Sequence, residues 1–204
     1  MKQVLWIFAL SFLIPFQTAI AQTDCFNFSQ DVNDPLHPPI TIKAKADATA
    51  SGDAGERGYW GAARGVVDKP IQKIYAKLLD HYTIKDPAHS KLHVYEQPNP
   101  KFQDFHLVMV TVETPMMDVS WEEQWAYKVL NGTKQDPKKV LISYQKTDGT
   151  KFVPHLCGSI VLEQLSATKT DVYLYEEINA LGKRSSKDTV KGHLGTLATL
   201  RKND

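Results

Sequence analysis

The sequence predicts an α+β fold in which one curved antiparallel β-sheet grips a long C-terminal α-helix. Three observations predict it. A strand at residues 58–67 leads straight into a helical stretch, a series of alternating strands follows, and one amphipathic helix closes the chain. A single antiparallel sheet that must bury one face does so by curling around a terminal helix. Such an arrangement leaves room for a cavity between helix and sheet, so the order is that of a ligand-holding module whose ligand is not named.

The elements are justified in order. Lys2, the apolar run from Val4 to Ile14, and the small residues of Ala19-Ile20-Ala21 form the pattern of a cleavable export signal over residues 1–21. A run this short falls well below the roughly 20 apolar residues of a membrane span. Residues 22–57 read as an extended leader: Pro35, Pro38 and Pro39 break it early, and residues 47–55 are small and polar. The ordered domain is placed at residues 58–202. Asp68 and Pro70 open a helix, as cap and first-turn proline, and Ile71, Ile74, Tyr75, Leu78 and Leu79 share its apolar face. Strands follow at residues 92–96, 105–113, 119–130, 139–146, 152–164 and 170–177. The stretch around Ser185 to Asp188 caps a last helix to about Arg201, with Val190, Leu194, Leu197 and Ala198 as its stripe. Its glycines and threonines make it a weak helix alone, one that needs tertiary packing.

A net charge of +1 excludes a nucleic-acid footprint, and no run after the signal is long enough to span a membrane. The two cysteines, Cys25 and Cys157, form a disulfide in an oxidising compartment; closing so long a loop contributes roughly 4 kcal/mol in the entropic model. The expected location is the periplasm or the extracellular medium. No phosphate loop, dinucleotide fingerprint or serine-nucleophile elbow is present. No catalytic residue, cofactor or metal is therefore assigned. His89 and His93 are four apart, but His93 falls in a strand and the zinc-protease glutamate is missing. His106, His155 and His193 sit on separate elements, where each is a structural histidine or one of a converging set.

The segments GAARGVVDKPIQKIYAKLLD, VSWEEQWAYKVL, YQKTDGTKFVPHLCGSIVLEQLSATKTDVYLYEE and SKDTVKGHLGTLATLRK resemble, in order and spacing, the START-like helix-grip superfamily of lipid-transfer domains and polyketide cyclases. The resemblance covers residues 58–202 and implies a fold and a cavity rather than an activity. It implies an apolar or amphipathic small-molecule partner such as a lipid. Trp121, Trp125 and Tyr127 share one strand face and are the strongest candidates to line the pocket or pack under a helix. Glu123 lies between the two tryptophans. It is either a desolvated carboxylate able to act on a polar head, or one neutralised by a lysine or arginine. Phe105, Leu107 and Met109 are taken as further lining, with His106, Val108 and Val110 as the alternative set on that strand. Leu194 and Leu197 supply the helix side. The rival functions are a cyclase- or hydratase-type enzyme using Glu123 or a histidine, and a cell-envelope partner-binding protein.

Overall fold

The computed structural model describes residues 25–38, 40–43, 47–85, 90–114, 117–181 and 185–202. The export signal and His89 lie outside them. Eight strands form one antiparallel sheet: β1 Ala48–Asp53, β2 Tyr59–Val67, β3 Ser90–Glu96, β4 Asp104–Glu113, β5 Asp118–Gly132, β6 Pro137–Gly149, β7 His155–Ser166 and β8 Lys169–Asn179. Their order is β1-β2-β8-β7-β6-β5-β4-β3. Two α-helices, α1 Ile71–Leu78 and α2 Ser186–Arg201, lie on the concave face.

Part of the leader is a strand. Residues 48–53, small and polar in sequence, pair with β2 from Ala48 opposite Arg64 to Asp53 opposite Tyr59. Small side chains suit this position, because the Trp60 ring lies where a Cβ on Gly52 would project. The start of α1 also differs from expectation. Pro70 is its N-cap and Asp68 does not cap it; Asp68 instead pairs with Lys169 at 3.5 Å. At α2 the expected cap forms, with Ser185 N donating to Asp188 Oδ2 at 2.8 Å.

Helix α2 buries His193, Thr196, Leu197 and Leu200, while Leu194 is half-buried and Ala198 exposed. The stripe is therefore rotated from the apolar one. The reason lies in β2, whose concave-side residues include Gly61 and Gly65. A Cβ on Gly61 would sit 2.8 Å from Thr189 Cβ, and one on Gly65 would sit 2.7 Å from Arg201 Nη2. Contact this close selects helix residues that fit against bare backbone, and threonine and histidine qualify.

The convex face is covered too. Residues 25–38 and 40–43 form a strap across it. Phe26, Phe28 and Val32 pack on Phe102, Phe105, Ala126 and Leu141, and Ile42 packs with Trp60, Ala62, Tyr173 and Tyr175. The expected disulfide joins Cys25 to Cys157 with Cα atoms 6.3 Å apart. The Gln145 carboxamide grips the backbone beside it, accepting from Phe26 N at 2.8 Å and donating to Phe26 O at 2.9 Å. A sheet buried on both faces explains why the β4 sequence is apolar at successive positions.

Gly158 of β7 is a tight internal contact in the middle of the sheet. A Cβ there would strike the Tyr144 hydroxyl and come within 2.6 Å of Tyr175 O, which is backbone and cannot swing away. Gly158→Ala is expected to cost about 2–3 kcal/mol by urea denaturation, as overpacking does; an unchanged midpoint would show that the strands part more easily than this packing implies.

Candidate functional site

One row of residues crosses the concave face. His106, Trp125, Tyr144, Gly158, Glu176 and Gly61 are successive cross-strand partners through β4, β5, β6, β7, β8 and β2. Gly158 leaves the space in which the Tyr144 ring lies. The ring stacks on Trp125 at 4.1 Å, and its hydroxyl donates to Glu176 Oε2 at 3.0 Å. Helix α2 brings His193 over the Gly61 and Glu176 end of the row. The turn at His81–Thr83 brings His81 over the other end, its Nε2 hydrogen-bonded to His106 Nδ1 at 2.9 Å and its ring edge-on to Trp125.

The next row toward the start of β5 holds the charge. Glu123 has no solvent exposure. It accepts from Trp121 Nε1 at 2.7 Å, Trp125 Nε1 at 2.8 Å and Lys85 Nζ at 2.7 Å. The Lys85 ammonium also lies 5.9 Å from each indole ring, within reach of a cation–π interaction. Lys146 is the direct strand partner of Glu123, and burial pulls its pKa down. A bulge between Glu122 and Glu123 shifts the register here, the kind of irregularity that re-aims a side chain. Three donors leave Glu123 placed as an anchor for Lys85, the ion-pair alternative read from sequence, rather than as a free acid.

The expected lining is partly redistributed. Trp121, Trp125 and Tyr127 share the concave face with Glu123; Leu197 of α2 belongs to the same buried cluster but lies over β2 beside Gly65, and Leu194 is at the margin. Phe105, Leu107 and Met109 lie on the convex side: Phe105 packs under the strap, and Leu107 and Met109 are half-buried. The register decides this, since His106 rather than Phe105 faces Trp125. The concave residues of β4 are therefore His106, Val108 and Val110. The three histidines do not converge, because His106 and His193 end the row while His155 is on the convex face beside the disulfide.

Lys85, His81, Tyr144, Lys146 and Glu176 were missed. Alternation through Val140, Ile142, Tyr144 and Lys146 would have found two of them. Lys85 and His81 carry no local signal, because a turn delivers them. Two concavities open on the convex face. One of about 500 Å³ is lined by Asn27, Asn99, Gln124 and Gln145, and one of about 570 Å³ by His37, Arg64, Asp171 and Tyr173.

Burial pushes the His81 imidazole down to about 3, with His106 and Lys85 adding to the effect, and burial lowers His106 and His193 as well. Each prefers the neutral form in the fold. The stability from keeping His81 neutral is complete above its unfolded value of about 6.5 and is lost as the pH falls toward about 3, at up to roughly 1.4 kcal/mol per pH unit. Urea midpoints are therefore expected to fall steeply from pH 6.5 to pH 4, and less steeply in His81→Phe. Parallel profiles would contradict a buried neutral His81.

The chain matches no protein-family model and no curated protein sequence. Solved structures do match. The lipid transfer and protein localization domain of human StarD13 superposes with a TM-score of 0.56 at 13% identity, over 85% of this chain and 89% of that one. A STAR-related lipid transfer protein from Xanthomonas axonopodis gives 0.54 at 15% identity, over 79% and 94%. Human STARD10 gives 0.56 at 9% identity, over 78% and 71%. Identities this low speak for the fold, and on that ground, with its curved sheet and closing helix, the chain has the START-like helix-grip fold.

Proposed function

We propose that the protein is an exported binding protein that holds an amphipathic small molecule, such as a lipid, on the concave face between the sheet and α2. The observation that carries this reading is the division of that face. Toward the end where β2 passes into α1 it is apolar, with Ile71, Ile74 and Leu78 against Ile142, Ile160, Leu162, Val172 and Leu174. Toward the other end it combines aromatic surface, Trp121, Trp125 and Tyr144, with the charges of Lys85, Glu123, Lys146 and Glu176. A molecule with an apolar body and a polar head matches both halves. Burial of its apolar surface supplies roughly 25 cal/mol per Å² before ordering costs. The names of the human and Xanthomonas neighbours, which specify lipid transfer, agree with this.

Trp121, Trp125, Tyr127, Leu194 and Leu197 remain the lining of this proposal, Glu123 fixes its polar end, and Val108 and Val110 take the place of Phe105, Leu107 and Met109. The disulfide fits an oxidising compartment, and among the described residues no helix is long and apolar enough to cross a membrane. The disulfide agrees with export and removal of residues 1–21. The enzyme reading draws less support, because Glu123 is already engaged by three donors.

Native mass spectrometry of the protein from its own host, followed by denaturation and organic extraction, tests the proposal. A stoichiometric extra mass released on denaturing is expected. Lys85→Ala, at a partly exposed position, is expected to change which polar head is retained. A folded Trp125→Ala is expected to retain the ligand at least tenfold less well. A ligand-free mass, or equal retention by a folded Trp125→Ala, counts against the concave-face assignment and moves weight to partner binding.

A further inference from the structure

The disulfide does not stand alone on the convex face. His155 and Cys157 lie two residues apart on β7 and point the same way. His155 Nε2 is 3.3 Å from Cys157 Sγ and 3.8 Å from Cys25 Sγ. These atoms lie within 4.8 Å of one another, and Cys157 and His155 are buried. Glu177, the strand partner of Cys157, places Oε2 3.6 Å from His155 Nε2. It is itself held by Arg57 at 2.9 Å and by the Tyr175 hydroxyl at 2.6 Å. The proposed ligand-binding face on the other side of the sheet uses none of these groups.

We propose that the reduced protein binds one soft, thiolate-seeking d10 metal ion, zinc(II) or copper(I), through Cys25, His155 and Cys157. In a tetrahedral site with metal–sulfur bonds of about 2.3 Å and metal–nitrogen bonds of about 2.0 Å, ligand atoms sit roughly 3.5–3.8 Å apart. The two sulfur–nitrogen distances already bracket that spacing. Only the sulfur–sulfur bond has to open. An external dithiol supplies two electrons and two protons and leaves as its own disulfide, and Cys25 and Cys157 become thiols. On binding the metal, both thiols release their protons to solvent.

The third ligand stays in place when that bond opens. Gln145 grips the Phe26 backbone through two hydrogen bonds, and Phe26 and Phe28 remain packed on Phe102 and Phe105. Cys25 is thus held beside two ligands fixed in a sheet, which is the preorganisation a tight site needs. Glu177 faces the same His155 nitrogen, so the metal takes Nε2 from that carboxylate, which keeps Arg57 and the Tyr175 hydroxyl as its partners. The redox state then sets what joins strap to sheet: a covalent bond in the oxidised protein, a metal in the reduced one.

Cobalt(II) and zinc(II) titrations of the protein reduced with a phosphine, with the oxidised protein alongside, test this. One equivalent of cobalt with sulfur-to-cobalt charge-transfer absorption is expected in the reduced protein and none in the oxidised one. Zinc is expected to displace the cobalt. His155→Ala is expected to weaken binding at least tenfold, and Gln145→Ala to weaken it less. No stoichiometric binding by the reduced protein would overturn the proposal. So would equal affinity in His155→Ala, which is also what two cysteines in a loosened chain would give.

Discussion

A carboxylate with no access to water has to find its donors inside the protein, and the concave face is arranged around that requirement at Glu123. Two indole N–H groups and one ammonium converge on it. Satisfying them fixes Trp121 and Trp125 in place, and Trp125 in turn fixes Tyr144 by stacking. Tyr144 reaches Glu176 only because β7 has no side chain at residue 158. Lys85 ties the turn after α1 to the same point. The geometry thus runs from one buried charge through aromatic rings across the concave face, from β5 to β8. Breaking such a buried pair from one side leaves an uncompensated charge, so the arrangement tolerates piecemeal change poorly.

Much of this was legible in the residues. The alternation of Trp121, Trp125 and Tyr127 marked one face of one strand, because period two is a local property that a pleated strand cannot escape. The same rule applied to β4 named two faces without choosing between them, and the choice required the pairing of His106 with Trp125. The N-terminal strand escaped notice because its residues are selected by the Trp60 ring and the neighbouring strand rather than by β propensity. The stripe of α2 was misjudged for a related reason. Hydrophobicity points a helix at a core, but here two glycines on β2 bring bare backbone to the helix, and fit outweighs apolarity. Lys85 and His81 were invisible, since a turn after a short helix delivers them from outside any periodic pattern.

The two faces of the sheet have different chemistry and different kinds of cover. On the concave side, helices and long aromatic side chains bury a charged cluster. On the convex side a chain segment without regular structure is held by phenylalanine packing, by one carboxamide acting as a backbone partner, and by a covalent bond. Because both faces carry a cover, β6, β7 and β8 have an inside and, over much of their length, a second inside. This is why the alternation in β7 and β8 is weak, and why fold class could be read from element order more securely than orientation could.

The strap also has a consequence for the order in which the chain assembles. Its docking surface is made by β1, β2 and β4 to β8, all of which lie later in the sequence, and the two bonded cysteines are 132 residues apart. No part of that surface exists until the strands have paired. The strap is therefore made before the surface that receives it. Contacts between residues so distant along the chain are slow to form because the loop must close before they give anything back. Until then Phe26, Phe28 and the convex face they cover are both exposed to solvent, so docking of the strap is expected to follow pairing of the strands.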